Sequence, residues 1–340
     1  MERLERLVIH VEEALRLARY GDEAHLRLAL MLLDSAAELI LHRAVQGKVD
    51  MQYFESRLLE TFNCAEQQGM ALSDDIKRSQ AELRSTVLSR SRLRTLDRNF
   101  DAKAEYLATL DDLPVANVRV LRKVHAYRNE AHHRDKVRPG SLRSAVNIYS
   151  YLVFTMMRDL NVTGLAISGS TPVGLVPYLG EQPWTVGFDA PTKIAEMLLA
   201  SSGMDKHEEL GIALGNHVDD RLQALIDGAN EIAGYFTGGP SDEEWDAGTV
   251  LALVQVEDDR TAALMTPDAA RRTLVPFTIE DLDALRLRAK ALARETEPVA
   301  AFAEFADIED TFRPVEVKVE VALIEIERQV QLRVDIARGK

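Results

Sequence analysis

Apolar residues recur at three- and four-residue intervals along the first 160 residues, and this period restricts that stretch to amphipathic helices packed side by side. Leu4, Val8, Val11, Leu15 and Ala18 form one apolar face. After Gly21, Leu26, Leu30, Leu33, Ala37 and Ile40 form a second, and Tyr53, Phe54, Leu58 and Phe62 suggest a third helix. Ser73 with Asp74 and Asp75 supplies an N-cap and dipole-favoured acids for a long helical region carrying Leu93, Leu96, Phe100, Leu107 and Leu110 inward. Asp112 and Pro114 announce the next start, with Val120, Val124, Tyr127 and Ala131 on its core face. After Pro139-Gly140 a last helix runs from Ser141, with Leu142, Val146, Tyr149, Val153, Met156 and Leu160 inward. The expectation is an antiparallel bundle of five or six helices over residues 1–162.

The texture then changes. Residues 162–191 contain five Gly and four Pro, which is incompatible with a long helix, so 163–190 reads as a connector. Residues 191–340 read as a smaller acidic α+β domain of unknown role. Lys193–Ala200, Glu208–Ala233 and "FTIEDLDALRLRAKALARE" look helical, the last with Thr278 as its cap. "TVLALVQVEDDRTAALM" suggests a hairpin about Asp258-Asp259. The C-terminal "VEVKVEVALIEIERQVQLRVDI" alternates in strand fashion, although Val319, Leu323, Ile326, Val330 and Val334 also suit a helical face; strand is the preferred reading. The fold class expected is thus mainly α, a helical bundle followed by an α+β domain.

Charge separates the two parts. The net charge is −14, yet residues 1–162 hold 25 Lys and Arg against 23 Asp and Glu, and the acidity belongs to the remainder. Within the first part, residues 119–143 form a basic island: Arg119, Arg122, Lys123, Arg128, Arg134, Lys136, Arg138 and Arg143 against Glu130 and Asp135. A chain this acidic is a poor general nucleic-acid binder, but a local field suffices to attract one phosphate strand. The single cysteine, Cys64, suits a reducing compartment. No uninterrupted apolar run reaches membrane-spanning length and the first 20 residues lack a signal-peptide pattern, so a cytoplasmic protein without membrane contact is expected.

Inside the basic island lies Arg128-Asn129-Glu130-Ala131-His132-His133. An Arg followed by a polar residue, three more residues and a His, late in a helical bundle, resembles the signature of the HEPN family, an Arg, four to six residues, then a His. The resemblance covers roughly residues 1–162 and matches Arg128, Asn129 and His133. It implies a metal-independent endoribonuclease needing no cofactor, commonly a homodimer whose motifs face each other, with roles in toxin action or antiphage defence. It also implies RNA cleavage by attack of a 2′-OH, giving a 2′,3′-cyclic phosphate and a 5′-OH.

The residue types suit that chemistry. A histidine titrates near neutrality and serves as proton acceptor, while a permanently charged guanidinium stabilises the phosphorane. Asn129 could orient the arginine or bind a phosphate oxygen. On an ideal helix Arg128 and His133 stand about 140° apart, and Arg128 and His132 about 40°, so His132 is the tidier helical partner and both remain candidates. His125, three residues before Arg128, joins as a phosphate ligand, with Arg122, Lys123, Arg134, Lys136 and Arg138 as RNA-binding cations. One departure narrows the family comparison: a HEPN subgroup paired with a nucleotidyltransferase antitoxin carries Tyr two residues after the His, and Asp135 stands there instead. The bland alternative is a basic helix end, favoured by the helix dipole, in a non-catalytic module that binds RNA, nucleotide or a protein partner through 119–143. A regulatory protein partner is compatible with either reading. Elsewhere, His217, Asp219 and Asp220 read as a solvated helix face rather than a metal site, Ser170 as a loop serine, and no phosphate-binding glycine motif occurs.

Overall fold

The computed structural model describes residues 2–133, 139–160, 170–181, 189–202, 208–237, 244–258, 261–262 and 265–338. Two units, 1–206 and 207–340, divide the chain.

The first unit is built around a hairpin of α1 (Glu2–Tyr20) and α2 (Glu23–Gln67). Gly21 turns the chain with φ +78, a backbone conformation that favours glycine, and Asp22 caps α2 by accepting from the His25 amide. Of the predicted apolar faces, Leu4, Val8 and Val11 of α1 and Leu26, Leu30, Leu33, Ala37 and Ile40 of α2 lie in the core, while Leu15 and Ala18 are half-buried. The expected third helix at 53–62 is the continuation of α2, and Tyr53 and Phe54 are exposed on it. The long helical region after Ser73 is three pieces, α3 (Asp74–Thr86), α4 (Arg90–Arg98) and α5 (Phe100–Thr109). Ser73, Ser89 and Asn99 each start a new piece by capping its first turn.

Helix α6 (Val115–His133) buries Val120, Val124, Tyr127 and Ala131, and α7 (Pro139–Asp159) buries Leu142, Val146, Tyr149, Val153 and Met156 against α2. Part of the expected connector is ordered on α1. A 3₁₀ turn at Val173–Leu175 leads into α8 (Val176–Leu179), where the Gly174 amide donates to Glu5 at 2.8 Å and the Tyr178 hydroxyl to Glu12 at 2.7 Å. Helix α9 (Ala190–Ser202) packs on α7, so the division of the chain falls after 206 and not at 190.

Every described element of the second unit is a helix, which corrects the α+β expectation. It comprises α10 (Glu208–Thr237), α11 (Ala247–Val254), α12 (Pro267–Arg272), α13 (Ile279–Leu292) and α14 (Pro298–Ala337). The supposed first hairpin strand is α11, started by an Asp246–Thr249 capping box. The supposed C-terminal strand is the second half of α14. That helix is established upstream, where Phe302, Phe305, Phe312, Val315 and Val319 enter the core at helical spacing, and the alternating valines continue it.

Helix α10 approaches α13 closely at glycine. A Cβ on Gly211 would stand 2.5 Å from the Glu295 carbonyl oxygen and 2.8 Å from that of Leu292. Gly211→Ala is therefore expected to destabilise the second unit by about 1–3 kcal/mol through backbone overpacking, against a helix-propensity gain of about 1 kcal/mol. Urea unfolding measures the net sign, and a stabilised variant would contradict the close approach.

Candidate functional site

Asp34 sits on the core-facing stripe of α2, between Leu33 and Ala36, and is fully buried. An acid there is costly unless it is paired and hydrogen-bonded. Three partners meet it from α6 and α7. The Tyr149 hydroxyl donates to Oδ1 at 2.6 Å, His125 Nδ1 lies 2.7 Å from the same oxygen, and Arg128 Nε stands 3.1 Å from Oδ2. The last is an ion contact without hydrogen-bond alignment, so attraction of charge rather than a directed bond holds that corner. Arg128 Nη1 in turn donates to the Asn129 side-chain oxygen at 2.9 Å.

His125 and Arg128, one helical turn apart on α6, keep side-chain exposures of 19% and 24%. The buried carboxylate therefore fixes two cationic groups while leaving their outer parts in reach of solvent. Phe100 from α5 lies flat on His125, with ring centroids 4.2 Å apart and planes 6° from parallel. Burial lowers the His125 pKa, but the hydrogen bond and charge of Asp34 outweigh it and the net shift is upward. Burial, followed by the Asp34 charge and hydrogen bond, pushes the Tyr149 phenol well above its usual range and keeps it a donor. Arg27 of α2 donates to the Ala131 carbonyl at 2.5 Å, tying down the last turn of α6 where the motif ends.

The motif residues fare differently. Arg128 and Asn129 are adjacent and joined, with His125 beside them. His132 and His133 close α6, but their side chains lie outside the described residues, as do Arg134, Lys136 and Arg138. Arg122 is turned toward α5, where it pairs with Glu105 at 3.0 Å and Asp101 at 3.6 Å; its charge is engaged within the unit. Lys123 lies 5.7 Å from the centre of the Tyr127 ring. Sequence reasoning missed Asp34, Tyr149 and Glu38 as site members. The available signal was an acid at a core position of α2, four residues after Leu30 and three before Ala37.

Asp34, Glu38 and His125 each offer a ligand atom, all within 4.8 Å of one another. The donor types would suit a divalent cation, but Asp34 Oδ1 already receives Tyr149 and His125, and the Arg128 guanidinium faces Oδ2. A second cation there would have to displace the first, so the donor set fits a metal poorly.

His217, expected on a solvated face, is half-buried in the second unit, with Phe305 6.1 Å away and Nε2 lacking a hydrogen bond, whereas Asp219 and Asp220 are exposed as expected. No described helix is long and apolar enough to cross a membrane. Comparison with family models, curated proteins and solved structures finds no match to this chain.

Proposed function

We propose that the first unit is an endoribonuclease of HEPN type, acting without a metal, and that α6 carries its active site. The observation that supports this reading best is Asp34. A buried carboxylate that holds a partly exposed Arg and His on one helix face preorganises charge where a phosphodiester could be met. Arg128 is the group that stabilises the phosphorane, and Asn129 orients it. His133 is the base by its spacing, with His132 as the alternative, and His125 is a phosphate ligand. The 2′-oxygen attacks phosphorus as its proton passes to the base, the phosphorus–O5′ bond breaks, and the leaving oxygen takes a proton. The products are a 2′,3′-cyclic phosphate and a 5′-OH. By family analogy the active form is a homodimer, with a role in toxin action or antiphage defence.

The test is cleavage of a mixed-sequence RNA in EDTA by wild type, Arg128→Ala, His132→Ala and His133→Ala. Arg128→Ala is expected to lose about 100-fold or more, as is the variant at whichever histidine is the base. Mixing Arg128→Ala with His133→Ala subunits recovers activity if the two motifs act across a dimer. Cleavage that disappears in EDTA and returns with a divalent cation would instead assign the Asp34–Glu38–His125 group to a metal. No cleavage by wild type, or equal cleavage by all variants, favours the second reading, a non-catalytic interaction module in which the Asp34 cluster only joins α2, α6 and α7.

A further inference from the structure

A cleft of about 430 Å³ opens on the first unit beside the Asp34 cluster. Helices α1 and α2 contribute His10 and His42, α4 and α5 contribute Arg98 and Lys103, and Phe100 forms an apolar wall. Glu38 is the one acid at its edge. The size is that of a small-ligand site.

The cations of this cleft lack internal partners, unlike Arg122. Arg98 and Lys103 take part in no ion pair among the described residues. His10 Nδ1 is buried without a hydrogen bond. A fold does not gain stability by gathering unpaired cations and orphaned donors; such a group is stabilised when an anion completes it.

We propose that this cleft is a binding site for a phosphate-bearing ligand of about one nucleotide in size, separate from Arg128. Arg98, Lys103, His10 and His42 meet the phosphate, Phe100 supplies the apolar contact, and Glu38 accepts from a sugar hydroxyl. The ligand is a free nucleotide or one nucleotide of a strand, and both present the same chemistry to these side chains. The site does not depend on the nuclease reading, because binding needs neither Arg128 nor catalysis.

Calorimetric titration of the full chain tests it with three probes: 5′-AMP, adenosine, and a 2′-deoxy tetranucleotide, which has no 2′-OH to cleave. One 5′-AMP is expected to bind per chain, and adenosine at least about tenfold more weakly. Arg98→Ala combined with Lys103→Ala should weaken 5′-AMP at least about tenfold, and Arg90→Ala, which removes an exposed cation of α4 outside the cleft, should leave it unchanged. Both substituted side chains lie toward solvent, and circular dichroism confirms that the variant is folded. Binding of the tetranucleotide but not of 5′-AMP, with the same response to the variants, supports the site and assigns a strand as ligand. No binding by either phosphorylated probe, equal binding of adenosine, or binding unaffected by the double variant would each overturn it.

Discussion

Replacing Asp34 by alanine is expected to destabilise the first unit by about 3–5 kcal/mol, the range for breaking a buried charge pair by deleting one partner. The carboxylate is fully buried and serves three side chains from two helices. Without it the Tyr149 hydroxyl is left without its acceptor in the core, and Arg128 and His125 lose their counter-charge in a half-dry site. Tyr149→Phe removes one donor to the buried carboxylate and should cost less, about 1.5–3 kcal/mol. Asp34→Asn keeps an acceptor but not the charge and should fall between. Hydrogen exchange on peptides of α2, α6 and α7 localises the loss; an Asp34→Ala chain protected like wild type would show that the three helices do not depend on this carboxylate.

The same cluster sets a pH dependence. The His125 pKa is raised in the folded state. Its contribution is therefore complete below the unfolded value of about 6.5 and disappears as pH rises through the folded value. Wild type should lose this increment on going to mildly alkaline pH, whereas His125→Asn should show a flatter profile over the same window.

How far the sequence discloses this structure can be judged at particular residues. The faces of α1, α6 and α7 are largely legible because their apolar residues keep one period, and Pro stands at or just before the starts of α6 and α7. Helix α2 is less so: Gly47 and the aromatic pair Tyr53 and Phe54 invite a break, yet the helix continues and leaves that pair exposed. For α14 local pattern fails because Val and Ile at every second position satisfy both periods. What decides is tertiary, the phenylalanines upstream that are already locked in a helical core. The candidate site shows the same division. Arg128, Asn129 and His125 can be read from one short segment, whereas Asp34 lies 91 residues before His125 and becomes a partner only when α2 packs on α6. Arg122 shows packing acting in the other direction, since a basic residue in a basic island also pairs with acids that packing brings from α5.

The second unit carries the other large effect, at Arg221. Its guanidinium bonds Glu316 through Nε at 2.9 Å and Nη2 at 2.6 Å, bonds Glu309 through Nη1, and lies 4.7 Å from the centre of the Phe312 ring. Glu309 is fully buried, and the Glu316 side chain is only 11% exposed. Arg221→Ala would leave two acids facing each other in the core and is expected to cost about 3–5 kcal/mol in urea unfolding. Acid should weaken the same region by two routes. Burial raises the Glu316 pKa but the Arg221 hydrogen bond and charge, aided by Arg313, bring it below the usual value, so its contribution is lost as pH falls through the carboxylate range. The pKa of His217 is pushed down to about 4, mainly by burial and then by Arg221, so the unfolded chain takes up its proton first and stability falls between about pH 6.5 and about 4. A triple replacement, Arg221→Met with Glu309→Leu and Glu316→Leu, separates two roles for the network. Should that variant match or exceed wild-type stability while Arg221→Ala alone collapses, the charges fix how α10 and α14 align rather than how tightly they hold. A triple variant as unstable as Arg221→Ala would mean that the ionic contacts themselves supply the stability of this core.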